Sequence, residues 1–561
     1  MGVTALASDM AAGMRCEALV GRDDELALIN RFLEHLVEGD SVDSACRVAS
    51  AAYVGANVTG DLPNADALRT RAHGTDTEGS GSLEAASAAA LMLLVTDGDI
   101  DAAGRLLRQA IEPAIEGHDE PICGDAVRTL VHICVSGARA DLWEALGRLI
   151  DCCSDRIPPA AVMHATIALD PVRCPAPVLG ALDADIRGLA HVADSAAVVR
   201  IAGASVFVDR LPSCRPALQR IASDEPAAGA LTAVIQAETL LALEAFQTGQ
   251  WDEAERFAEI AEALGLRHGF GLLRFQARAV RAFVAAGRGD ERFARSLADE
   301  MLRWAIPRGV GHVCADAHYA AVLVALANAE FDTAFRLAER ISPAGTLARH
   351  QPRAAWVMLD LVEAALRIGR IAEANAHVEA IKASGVAEIS SRTALLAGGA
   401  IALVAPEEAA PDLFARALAT PGAERWPFER ARVALLCGER LRRARESVRS
   451  REHLAAALES FERLGAGPWA DRAGKELRAT GQARPRRESY DRDALTPQEH
   501  EIAGLAAAGM TNKQIGQRLY LSHRTIGAHL YRIFPKLGIT TRAALRDALS
   551  ATADIADRAS A

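Results

Sequence analysis

Thr248-Gly249-Gln250-Trp251-Asp252-Glu253-Ala254 reads as the bend of a helix hairpin. A small residue permits the tight turn, a bulky apolar side chain packs beneath it, and a charged, small-residue run opens a second amphipathic helix. The pattern returns as Asn328-Ala329-Glu330-Phe331-Asp332-Thr333-Ala334 and as Ile368-Gly369-Arg370-Ile371-Ala372-Glu373-Ala374, with a weaker copy at Ala286-Gly287-Arg288-Gly289-Asp290-Glu291. Aligning Gly249, Gly287, Ala329 and Gly369 gives intervals of 38, 42 and 40 residues. One hairpin cannot bury its own apolar face, so a chain of them is expected to stack into a solenoid.

The array over 230–480 resembles tetratricopeptide repeats with a longer period and imperfect motifs, a plain α bundle being the alternative. An earlier echo, Asp97-Gly98-Asp99-Ile100-Asp101-Ala102-Ala103, points to related hairpins inside a helical region over 41–229. Within that region the segments around Gly55–Asn64 and Gly74–Ser82 read as loops. A charged linker is expected over 481–494, followed by a separate module over 495–561.

That module has its own punctuation. Thr496, Pro497 and Glu499 form a capping box with proline at the first helical position. Ile502, Leu505 and Ala506 follow at helical spacing, and Gly509 ends the segment. Thr511 caps a second helix bearing Ile515 and Leu519, Tyr520-Leu521 turn the chain, and Ser522 caps a third. In the third helix Ile526, Leu530, Ile533 and Leu537 make one buried stripe. Pro535 should kink its last turn. Gly538 stops it, and Thr540/Thr541 open a fourth helix through Ala544, Leu545 and Leu549.

Charge separates the module from the rest. The chain carries −11, yet between Thr496 and Leu549 seven bases (Lys513, Arg518, Arg524, Arg532, Lys536, Arg542, Arg546) face three acids (Glu499, Glu501, Asp547), a balance of +4. The remainder therefore carries −15, and only the terminal module has the sign that phosphate contact requires.

The stretch LTPQEHEIAGLAAAGMTNKQIGQRLYLSHRTIGAHLYRIFPKLGI resembles the LuxR-type helix-turn-helix domain throughout, including T-N-K-Q-I, L-S-x-R-T-I and K-L-G-I. The resemblance implies that Ser522–Leu537 is a recognition helix for the major groove of double-stranded DNA and that Asn512–Leu519 braces it. It places Lys513 and Thr525 at phosphate and His523, Arg524, Gly527, Ala528 and Tyr531 on the groove-facing strip, with Gln514, Ser522 and Arg532 completing the DNA-binding set. The sequence departs from the family at Gly527, where lysine is common. The last helix serves homodimerisation in such domains.

Leu19-Val20-Gly21-Arg22-Asp23-Asp24-Glu25-Leu26, the helical body and Phe461-Glu462-Arg463-Leu464-Gly465-Ala466-Gly467-Pro468-Trp469-Ala470 resemble large ATP-binding LuxR-family regulators, so 1–40 reads as the remnant of an ATPase-module opening. A P-loop, G-x-x-x-x-G-K-[ST], should follow it. These 561 residues contain none: the sole Gly-Lys pair, Gly474-Lys475, precedes Glu476. No G-x-S-x-G or HExxH occurs either, so an enzyme is not expected, nor a cofactor or metal. The ten cysteines are scattered without a CxxC, as in a reducing cytoplasm, and His132/Cys134 and His312/Cys314 read as packed core. No uncharged apolar run reaches the ~18 residues of a membrane span. The expected protein is thus an all-α, cytoplasmic transcriptional regulator, a tetratricopeptide-like solenoid body sensing a partner or effector and a C-terminal LuxR-type module binding DNA. The rivals are a nucleotide-switched ATPase and a repeat adaptor.

Overall fold

The computed structural model describes residues 83–116, 122, 124–223, 231–481, 497–519 and, further on, 523, 526, 529, 530, 533, 534, 537, 539 and 541–546. The expected remnant at 1–40, the loops before residue 83 and most of the 481–494 linker lie outside these residues. The chain divides into two compact units, 1–482 and 483–561. Among the described residues the regular elements are all helical.

In the first unit α1 (Leu83–Thr96) pairs with α2 (Ile100–Glu116), and α3 (Gly124–Gly137) with α4 (Ala140–Cys153). Four shorter helices follow: α5 (Pro159–Leu169), α6 (Ala176–Gly188), α7 (Ser195–Val206) and α8 (Arg215–Ser223). The array then runs through α9 (Leu231–Gln247) and α10 (Trp251–Arg267), α11 (Gly271–Arg288) and α12 (Glu291–Ala305), α13 (Gly311–Ala327) and α14 (Phe331–Ile341). It continues with α15 (Ala354–Arg367) and α16 (Ile371–Ser384), α17 (Ser391–Val404) and α18 (Ala410–Leu418), and α19 (Pro427–Arg443) and α20 (Ser447–Leu464). A single helix, α21 (Gly467–Ala479), closes it.

The local reasons are visible in α12. Its buried residues Ala294, Leu297, Ala298, Met301 and Ala305 recur at helical spacing, and Asp290 caps it by accepting from the Phe293 amide at 3.2 Å. Full burial of side chains such as Leu297 or Met301 contributes about 1.5–3 kcal/mol each.

Most of the hairpins bend at a residue in the left-handed region, the α17–α18 connection being an exception, with Ala405 extended and Ala409 right-handed. Asp209, Gly249, Gly289, Ala329 and Gly369 have φ of 57, 83, 90, 60 and 79°, at positions that advance by 40 residues each time. Gly98 and Ala138, also 40 apart, repeat it earlier at 69 and 50°. At Gly249 the two amide bonds of a Schellman ending are present, Gly249 N–H to Phe246 O at 3.2 Å and Gln250 N–H to Ala245 O at 2.7 Å. The turn residue of the weak copy is therefore Gly289. Gly287, aligned from sequence, lies in the last turn of α11 against the Trp251 ring, where a Cβ would collide. The true period is regular, and the uneven intervals came from choosing the wrong one of two glycines.

The solenoid coils onto itself. The Thr96 carbonyl lies against Gly271 and the Gly137 carbonyl against Gly311, contacts too close for a Cβ. Asp170 pairs with Arg349 at 3.1 Å, Trp251 meets Phe428 with centroids 5.5 Å apart, and Gly289 rests on Pro468. Every such pair is separated by about 175–180 residues, so about four and a half hairpins complete one superhelical turn. This explains why the residue beneath the bend is not buried equally. Trp251 is 2 % exposed because the next layer covers it, whereas Ile371, expected to pack the same way, is 51 % exposed. A Cβ on Gly369 would meet nothing: no later layer of the body covers that bend.

The first helices of the hairpins line the axis and fill it with aromatic rings and charge. Phe283 and Tyr319 stand 5.2 Å apart, Tyr319 and Trp356 5.4 Å, and Phe428 and Trp469 5.5 Å. Between them Arg392 pairs with Glu429 at 2.7 Å while its guanidinium lies 4.4 Å over Trp356. Arg432 pairs with Asp360 and Glu363, and Arg472 bridges Glu363 at 2.6 Å and Glu439 at 2.8 Å. Burial works against the Arg392 charge, but Glu429 and Asp209 outweigh it and hold its pKa up. Burial likewise pushes at the Asp316 carboxyl, yet Arg353 and His312 keep it well below the usual carboxylate range. His132, near His312, is driven by burial to a pKa of about 4. Among the described residues no three His, Cys, Asp or Glu side chains gather as metal ligands.

Candidate nucleic-acid interface

The second unit starts with α22 (Pro497–Ala507), whose first residue is the expected proline. Its end is a Schellman motif: Gly509 has φ of 89°, its amide donates to Ala506 O at 3.1 Å, and Met510 N–H donates to Leu505 O at 3.2 Å. Then α23 (Asn512–Leu519) begins behind Thr511. The Gln514 amide donates to Thr511 Oγ1 at 3.3 Å, and Gln514 Oε1 accepts from the Thr511 amide at 2.8 Å and hydroxyl at 2.9 Å. That reciprocal box satisfies two otherwise orphaned donors.

His523, Ile526, His529, Leu530, Ile533 and Phe534 are helical. Ile526, Leu530 and Ile533 are buried with Ile502, Ala503, Ala506, Ile515 and Leu545 in one apolar core, and Leu537 packs against it. The expected stripe thus faces inward while His523 is exposed. The expected fourth helix opens as a short 3₁₀ turn, Arg542–Ala544, behind Thr541. Leu549 lies outside the described residues.

Of the proposed contact residues, Lys513, Gln514 and His523 are described and exposed. Lys513 is exposed on α23, whereas Gln514 commits its carbonyl oxygen to the cap. Ser522, Arg524, Thr525, Gly527, Ala528, Tyr531 and Arg532 lie outside the described residues. Two cations counted with the basic face have another duty. Arg542 donates to Asn512 Oδ1 at 2.6 Å and to the Met510 carbonyl, and Arg546 donates to the Ala507 carbonyl at 3.3 Å. Both cations clamp the helix end and turn that lead into α23, where terminal carbonyls need donors. Sequence reasoning missed this role. The available signal was the glycine stop at Gly509, which implies exposed carbonyls in search of a partner.

A small rigid unit with an inward apolar stripe and outward cations can hold phosphate oxygens while a helix meets base edges. Comparison with known proteins agrees. Residues 493–548 match the family of bacterial regulatory proteins, luxR family. A Mycobacterium bovis protein named as an HTH-type transcriptional regulator is 41 % identical over 54 residues, 10 % of this chain and 6 % of that one. The DNA-binding transcriptional activator DevR/DosR of Mycobacterium tuberculosis is 42 % identical over 48 residues, 9 % of this chain and 22 % of its own. The transcriptional regulatory protein MctR of Rhizobium johnstonii is 45 % identical over 53 residues, 9 % and 25 %. The chain thus spans a small part of each relative, and the family match lies within the second unit. That unit is a LuxR-type helix-turn-helix domain.

Proposed function

We propose that the chain is a DNA-binding transcriptional regulator whose helical-repeat body responds to a partner or effector. The observation that carries the reading is the second unit: a capped, apolar-cored helix-turn-helix with a positive balance on a chain of −11. In this reading Ser522–Leu537 enters the major groove of double-stranded DNA. Lys513 and Thr525 hold phosphate, with Gln514, Ser522 and Arg532 beside them. His523, Arg524, Gly527, Ala528 and Tyr531 face the bases. Two copies join through the last helix on an inverted repeat.

The body's axis is filled by its own side chains, so an effector acts on the outer helices or by parting the axial ion pairs. The large ATP-binding subtype is supported by residues 19–26 and by the stretch that begins at Phe461, and these 561 residues carry no P-loop for nucleotide switching. Among the described residues no helix is long and apolar enough to cross a membrane, in keeping with action in the cytoplasm.

The test is to select bound genomic fragments with purified protein and then compare variants. Lys513→Ala should weaken all sequences about equally and lower the salt slope by roughly one unit. Arg524→Ala should cost ~1–3 kcal/mol of discrimination between selected and random DNA. A folded protein indifferent to both changes would move the adaptor reading ahead.

A further inference from the structure

The bend between α19 and α20 is built like the others but uses a different residue. Arg445 has φ of 64°, its amide donates to Arg442 O at 3.1 Å, and Glu446 N–H donates to Leu441 O at 2.9 Å. Three of the equivalent bends use glycine: Gly249, Gly289 and Gly369. A side chain in the left-handed region costs roughly 1–2 kcal/mol, so the fold alone favours glycine here. Arg445 is exposed, with no ion pair or side-chain hydrogen bond among the described residues. It stands in the run RLRRARESVRSR, residues 440–451, which holds six arginines and one acid.

The neighbours are arranged around it in two ways. Arg440 donates to the Leu403 and Ala405 carbonyls at 3.2 and 2.7 Å, and Arg442 pairs with Glu476. These two hold the bend in place. Arg443 and Arg449 keep about half of their side chains exposed, 48 % and 50 %, each with one carboxylate, Glu439 at 3.5 Å and Glu446 at 2.8 Å. Burial and, after it, the like charge of Arg367 push the Arg443 pKa down, against Glu439 and Glu476. Arg451 Nη2 donates to Thr480 O at 2.7 Å, which ties this bend to the point where the chain leaves the body.

We infer that Arg443, Arg445 and Arg449 form a phosphate-binding surface of the body, for duplex DNA flanking the site held by the helix-turn-helix. The partner follows from the chemistry. A polyanion complements three guanidinium groups that reach solvent on one bend, and base identity plays no part because phosphate contacts carry no sequence information. The two units belong to one chain, so DNA engaged by the second unit is tethered to the body that carries the bend.

The inference rests on the DNA-binding reading, and its test separates the two. The full chain is titrated with a duplex covering only the selected site, and with the same site extended by several helical turns of random sequence. Wild type should bind the extended duplex more tightly and with a steeper salt dependence. Arg445→Gly relaxes the backbone, so the body should melt at the same temperature or higher. Its advantage on the extended duplex should nevertheless shrink, and Arg445→Gly with Arg449→Gln should lower the salt slope there by about two units. Binding to the short duplex should not change. A wild type that gains nothing from flanking DNA, or a double variant that keeps the whole gain, overturns the surface and leaves the helix-turn-helix reading standing. A wild type that binds neither duplex overturns both.

Discussion

The two units use arginine in opposite ways. Among the described residues of the helix-turn-helix the core is apolar, Ile502, Ile515, Ile526, Leu530, Ile533 and Leu545 among it, Lys513 and Arg518 are exposed, and Arg542 and Arg546 close helix ends. In the body Arg392, Arg432 and Arg353 are 1 %, 3 % and 5 % exposed, stacked on Trp rings and paired with carboxylates from other hairpins. The lesson concerns geometry. A short bundle of helices meets along narrow stripes that aliphatic side chains can fill. A coil of about four and a half hairpins per turn brings many first helices to one axis. Long, planar guanidinium groups reach across that axis, and several carboxylates share each one.

Buried pairs of this kind add little net stability when complete, but removing one partner leaves an uncompensated charge. The largest effect should therefore follow Arg432→Met, which strands Asp360 beneath Trp469 and leaves Glu363 with Arg472. A loss of about 3–5 kcal/mol in the denaturant midpoint of the body is expected. The transition of the helix-turn-helix unit should stay where it was. A loss below about 1 kcal/mol would mean that water reaches the axis and the contrast between the units is superficial.

A buried charge without such a partner should behave in the reverse sense. Glu238 on α9 is 5 % exposed, and among the described residues its Oε2 has no hydrogen-bond partner. Burial raises its pKa from 4.5 to about 7, with Arg256 opposing only in part. A carboxyl whose folded pKa lies above its unfolded value favours the folded state in its protonated form. Stability is lost as pH climbs from 4.5 toward 7 and is not regained above it. Glu238→Gln removes that loss, so the variant should be more stable than wild type at pH 8 by about 1–3 kcal/mol and about equal to it near pH 4.5. Thermal melts at the two values decide it, and equal differences at both would show that Glu238 is not the titrating group.

Legibility divides along the same line. The helix-turn-helix could be read because everything that shapes it is local: the proline at 497, the glycine stop at 509, the box at Thr511 and the stripe at 526, 530 and 533. Several hairpins were legible for the same reason, with the bend residue itself read at Gly249, Ala329 and Gly369. The superhelix was not. Thr96 against Gly271, Arg472 between Glu363 and Glu439, and Arg392 beside Asp209 join positions tens to hundreds of residues apart. Nothing at Arg472 distinguishes it, in sequence, from the solvated arginines around it. The phase error at Gly287 has the same origin, since only the Trp251 ring tells which of two nearby glycines packs and which one turns.

The smallest expected effect tests the 40-residue phase itself. If positions 209, 249, 289, 329 and 369 are one structural position, glycine should suit all of them unless the side chain is put to use. Asp209 is put to use, for its Oδ2 accepts from Ser390 Oγ at 2.6 Å and the carboxylate faces Arg392. Ala329, at φ of 60°, is exposed and offers only a methyl group. Ala329→Gly should relieve the left-handed strain of about 1–2 kcal/mol, while the freer unfolded chain takes back about half of that. A net gain of about 0.5–1 kcal/mol is expected, seen as a small rise in melting temperature. The reverse change at the first bend, Gly249→Ala, should cost more than the strain alone, because its Cβ would strike Leu464 and Pro427 of the covering layer. If Ala329→Gly destabilised the body, or if Gly249→Ala were as mild as its counterpart, the two bends would not be equivalent positions of one repeat covered by one coil.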